Sequence, residues 1–193
     1  FRSVLAAALW STTNNPLANR YLSFVLLVLA GMMSVYSLGW TGRVDVPASL
    51  AFMPLNLPLA LGPLLFGYAR ALATGRGFSR LVLHMTPAAA HFIYLCVVLA
   101  LPDGARAAWK DGAHDHVIKP LLEAATLVSL TVYAIAGLRL HRRYRAWLEQ
   151  ARSDADRYAA HWVAGTLVSL LATLFALILL RLYTWFVGEL EIG

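Results

Sequence analysis

The chain has 193 residues, of which 60% are apolar and only 13% are charged. A soluble domain carries roughly a quarter charged residues, so the composition excludes an ordinary soluble globular domain and predicts an all-α, polytopic transmembrane helix bundle. The formal net charge of +6 raises the question of nucleic acid, and a single cysteine, Cys96, excludes an intrachain disulfide.

A helix that crosses a bilayer needs about 20 mostly apolar residues. Residues 1–12 read as a partial first span, too short to cross and unlike a signal peptide. The first complete span is 17–40, entered through Asn15-Pro16, an N-cap followed by proline at the first helical position. The second, 50–73, contains Pro54, Asn56, Pro58 and Pro63. Each proline removes a helical hydrogen bond. Carbonyls freed inside a membrane need neighbours or water, so such a helix often lines a cavity; a simple packing kink is the alternative.

The third span, 81–101, carries His91 near its middle and His84 seven residues earlier, on similar faces. An ionisable group at that depth marks a candidate functional site; a neutral histidine bonded to a neighbouring helix is the plainer reading. No other span has a comparable mid-membrane histidine, which argues against bis-histidine haem, and no cofactor is expected. Residues 103–119 read as a polar outer loop. Its His114, His116, Asp111 and Asp115 lack a recognised ligand spacing, so no metal site is expected.

The fourth span, 118–138, has Glu123 near its start. It runs into a basic connector, 139–160, in which Leu140, Tyr144, Trp147, Leu148 and Ala151 recur at helical spacing. Arg139, Arg142, Arg143 and Arg145 occupy the other faces. The pattern predicts an amphipathic helix on anionic lipid headgroups, with a docking or relay surface for a cytoplasmic domain as the alternative. The last span, 162–187, is the most apolar and carries Arg181 towards its outer end. Arg181 and Glu123 either snorkel to the interface or hold an anionic ligand. The total is five complete spans plus the partial first.

Charge sets the orientation. Ten Lys and Arg lie in the loops on one side and four in the loops on the other. Basic loops stay cytoplasmic, which places residue 193 outside, and a bacterial inner membrane is the expected location. The positive charge is then a record of topology rather than a DNA-binding surface. No Gly-rich phosphate loop, paired carboxylates at depth or nucleophile–base pair is visible, so an enzyme is not expected.

Several stretches in order resemble one family. They are Asn15-Pro-Leu-Ala-Asn-Arg-Tyr-Leu22, Gly62-Pro-Leu-Leu-Phe-Gly-Tyr-Ala-Arg-Ala-Leu72, Leu83-His-Met-Thr-Pro87, the arginine-rich stretch through Tyr144, and Trp162 opening the last span. Together they resemble the N-terminal membrane domain of membrane-bound AraC-type transcriptional regulators. In that family a bundle of about seven helices precedes a cytoplasmic helix-turn-helix domain. The resemblance covers nearly the whole chain, but residues 1–193 hold no helix-turn-helix domain and lack a final span. It implies a single sensor-like domain that touches DNA only through a domain absent from this chain. A homodimer would suit paired DNA half-sites, although no dimer motif is visible.

The expected function is therefore ligand sensing. An unknown small or lipidic ligand would bind near Asn56, His91, Glu123 and Arg181, and the connector at Arg139, Arg142, Arg143, Arg145 and Trp147 would relay the state. The alternatives are a small transporter or channel, and a membrane metalloenzyme using His91, His114 or His116.

Overall fold

The computed structural model describes residues 15–39, 48–151, 165–173 and 175–176, and these are helical or irregular with no strand among them. The partial span 1–12, Arg181 and the acidic tail lie outside the described residues, as does most of the span 162–187. The chain divides into two units, Phe1–Tyr133 and Ala134–Gly193.

In the first unit, helix α1 spans Pro16–Gly39. Asn15 adopts φ 51°, a left-handed conformation that asparagine tolerates. Its carbonyl accepts the Asn19 N–H at 3.1 Å. The expected proline start is therefore present. Ala18, Tyr21 and Val25, at i, i+3 and i+7, form the buried face, while Phe24, Leu27 and Met33 stay exposed.

The anticipated span 50–73 is not one kinked helix. It consists of α2 (Ala48–Ala51), an irregular stretch, a 3₁₀ turn (Pro58–Ala60) and α3 (Leu61–Thr74). Pro54 lies in the break, whereas Pro58 and Pro63 sit in first turns, where a missing N–H costs nothing. Isolated turns hold the break together: the Asn56 N–H donates to the Met53 carbonyl at 3.4 Å and the Ala60 N–H to Leu57 at 3.1 Å. Gly75 ends α3 at φ 64°, donating its N–H to Ala71 at 2.9 Å.

The segment 81–101 is also divided, into α4 (Leu81–His84) and α5 (Thr86–Leu99), with Pro87 in the first turn of α5. The stretch expected as an outer loop is mostly helical: α6 (Asp103–Trp109), a π-helical stretch (Lys110–Ile118) and α7 (Lys119–Ala151). Gly112 (φ −91°, ψ −109°) departs from helical values and kinks the path. Arg106 ties the turn before α6 by donating to the carbonyls of Leu99 and Leu101 at 2.8 and 2.6 Å and to Asp103 at 3.0 Å.

By length and composition, two described helices can cross a membrane, Pro16–Val35 and Asp103–Gln150. This corrects the expectation of five complete spans. The prolines at 54 and 87 interrupt the second and third segments, leaving Thr86–Leu99 as a shorter apolar helix of 14 residues.

The core of this unit lies between α1 and α3, with Ala88 of α5 added. Small residues allow the close approach. A Cβ on Gly67 would collide with the Tyr21 ring, and one on Gly31 would lie 2.7 Å from the Leu55 carbonyl oxygen. Tyr21 is further fixed because its hydroxyl accepts the Phe78 N–H at 3.0 Å.

In the second unit, α7 buries Ala134, His141 and Leu148, at i, i+7 and i+14. A Cβ on Gly137, on the same stripe, would lie 3.1 Å from Leu167. The buried stripe differs from the expected one, since Trp147 remains 57% exposed. An apolar pattern alone cannot tell a face that packs from one that lies open.

Candidate functional site

Asn56 and His91 both carry a buried polar atom with no hydrogen-bond partner, Oδ1 in Asn56 and Nδ1 in His91. A buried group left unpaired costs about 1–3 kcal/mol, and most native buried groups avoid that cost. The architecture brings the two to one level. The irregular stretch 52–60 runs along the buried face of α5, which presents Ala88, His91, Leu95 and Val98 at spacings of three and four. Phe52 clusters with Leu95 and Val98. Leu59 and Ala60 share a cluster with Ala88, and Leu57 packs against both groups. Asn56 falls between these anchor points along the strand-like run, as His91 falls between Ala88 and Leu95 along the helix.

Aromatic side chains wall this seam. Phe52 is fully buried, with its ring 4.7 Å from His114 and 6.4 Å from Tyr94, both edge-on. The Tyr94 ring stacks on His91 at 6.4 Å and 23°. Trp109 donates its indole N–H to the Tyr94 hydroxyl oxygen at 3.1 Å. That leaves the single Tyr94 hydrogen to donate to His114 Nδ1, 2.8 Å away. His114 then carries its proton on Nε2 and acts as a neutral acceptor. Burial holds its imidazole below the ordinary histidine range. Asp115 opposes this, while Lys119 and Lys110 push the same way as burial. Lys110 is itself held between Asp111 at 3.2 Å and Asp115 at 3.3 Å, which raise its pKa.

No protein-family model, curated protein or solved structure matches the chain.

Of the residues singled out from sequence, Asn56 and His91 are thus brought to one seam. Glu123 lies in the first turns of α7, partly exposed. Arg181 lies outside the described residues. Arg139, Arg142 and Arg143 project exposed from the cytoplasmic-side half of α7 as read from charge. Arg145 pairs with Glu149 at 3.4 Å, a solvent-exposed contact of little energetic weight. Trp147 stacks on Tyr144 at 6.1 Å.

His114 corrects the reading of its neighbourhood as an exposed loop: it is 8% exposed, whereas His116 is exposed. Sequence reasoning also passed over Phe52, Tyr94 and Trp109. A usable signal was present, since Tyr94 and Leu95 follow His91 by three and four residues. His84, paired with His91 by spacing, serves a separate cluster. Its Nδ1 lies 2.6 Å from the Tyr133 hydroxyl, and its ring packs on Phe78 at 4.7 Å. Among the described residues no group of three or more His, Cys, Asp or Glu is placed to hold a metal ion.

Proposed function

We propose that the chain is the membrane-embedded sensor domain of a bacterial transcriptional regulator of the AraC type. On this reading it is a multi-pass inner-membrane bundle with basic loops in the cytoplasm and residue 193 outside. Segments 50–73 and 81–101 cross as broken helices, which are tolerated where the irregular backbone is buried in protein or lines a cavity. A ligand binds at the seam between residues 52–57 and α5 and biases the bundle towards one of two arrangements. A ligand shifts that equilibrium only by its differential affinity for the two states. The basic face of α7 at Arg139, Arg142 and Arg143 sits on anionic headgroups and passes the bias to a DNA-binding domain outside this chain.

The observation that carries the reading is the pair of unpartnered buried polar atoms, Asn56 Oδ1 and His91 Nδ1, at one level of an apolar bundle. Groups whose partner is not supplied by the fold are what a ligand site requires. The resemblance supplies the output. In the intact regulator, alanine at Asn56, His91 and Glu123 is expected to leave membrane expression intact and to flatten promoter output across growth conditions. Measurement is by a transcriptional reporter, and unchanged regulation in the triple variant would refute the site.

A further inference from the structure

We propose that the seam takes an uncharged, hydroxyl-bearing amphiphile, with its hydroxyl between Asn56 and His91 and its apolar body against Phe52 and Tyr94. The inference names the ligand class for the sensor reading above and rests on it. Three features of the seam lead to it.

The side chains at the seam, Phe52, Asn56, His91, Tyr94 and Leu95, include none with a permanent charge. The nearby ions of the 110–118 stretch satisfy one another, with Lys110 bound to Asp111 and Asp115. An anionic or cationic headgroup entering here would therefore stay uncompensated in a poorly solvated place. This selects a neutral ligand.

The two unpartnered atoms select its polar group. Asn56 Oδ1 is an acceptor and needs a donor. His91 Nδ1 is either a donor or an acceptor, according to tautomer. A hydroxyl donates one hydrogen and accepts through its lone pairs, so one hydroxyl donates to Asn56 while accepting from His91. A ketone or ether lacks the hydrogen, and a primary ammonium lacks the acceptor. His114 and Trp109 do not compete, because both are already bonded to Tyr94.

The walls select an apolar body. Phe52 is fully buried and Tyr94 lies flat against His91. These ring faces accept an alkyl chain or another ring with comparable ease.

The test uses the 193-residue chain in phosphatidylcholine nanodiscs, titrated with 4-octylphenol, its methyl ether 4-octylanisole, and octanoate. Partitioning into chain-free nanodiscs is subtracted. Octylphenol is expected to bind saturably, with the ether and octanoate roughly tenfold weaker, the factor lost with a hydrogen bond. Asn56→Leu, which keeps the shape of the side chain, is expected to remove the preference for phenol over ether, and His91→Phe to reduce it. The proposal is overturned if the ether or octanoate binds as tightly as the phenol, if none of the three saturates, or if both variants keep the full preference. Failure here leaves the sensor reading standing, because the promoter assay needs no named ligand. A flat response in this titration beside normal loss of regulation in the triple variant rejects the ligand class alone.

Discussion

Replacing Asn56 with leucine and His91 with phenylalanine is expected to make the protein more stable while it loses its response. Each substitution keeps side-chain shape and removes a buried polar atom that has no partner. Relief of about 1–3 kcal/mol per site follows from the cost of an unpaired buried group. For a chain of this size a kilocalorie corresponds to roughly 2–4 °C in Tm, so the double variant should melt about 5–10 °C higher in detergent. A functional site that weakens its own fold is a common trade. Ser23→Ala supplies the opposite control. Ser23 is equally buried, but its hydroxyl donates to the Asn19 carbonyl at 2.8 Å, so its removal should lower Tm slightly or leave it unchanged. Equal losses in all three variants would mean that Asn56 and His91 are satisfied in the folded protein.

Gly67→Leu carries the largest expected loss. The Tyr21 ring occupies the space where any Cβ on residue 67 would go. Tyr21 cannot turn aside cheaply, because its ring is 8% exposed and its hydroxyl is bonded to the Phe78 N–H. Overpacking a dense core costs about 1–3 kcal/mol, and the upper end applies where the obstructing ring is pinned. A fall in Tm of about 6–12 °C is expected, together with loss of the α1–α3 contact that positions the 52–60 stretch. Gly104→Ala, where an added Cβ meets nothing within 4 Å, should change Tm by a degree or less. A Gly67→Leu protein as stable as the Gly104→Ala protein would contradict the packing of α1 on α3.

Much of the helical character was legible in the sequence, because apolar composition and proline placement act locally. Asn15-Pro16 marks a helix start in both sequence and structure, since a cap and a preset φ need no tertiary partner. Helix continuity was harder to read. Residues 50–73 and 81–101 pass a test of apolar content, yet Pro54 and Pro87 fall where the chain changes element. Hydropathy sums over a window and is blind to a missing N–H. Residues 103–118 show the reverse: their polarity suggested a loop, but the backbone remains helical as far as the kink at Gly112.

The site was partly legible for a similar reason. Asn56 and His91 stand out as polar residues in apolar runs, which sequence displays directly. Their meeting at one level depends on Phe52, Leu57 and Ala60 docking along α5, a tertiary event. His114 was hidden because its burial comes from Phe52 and Tyr94, 62 and 20 positions away by their numbers. On α7 the apolar positions Tyr144 and Trp147 suggested a packed face, while the buried stripe includes His141 instead.

The central claim is that Asn56 and His91 face a common space whose state is relayed. The most direct measurement is a cysteine pair, Asn56→Cys with His91→Cys, in a Cys96→Ala background of the intact regulator, treated in membranes with a short bifunctional methanethiosulfonate. Efficient intramolecular cross-linking, with promoter output then fixed at one level in every growth condition, is the predicted result. Absence of the cross-link while each single cysteine still reacts, or a cross-linked protein whose output varies as before, would contradict the account.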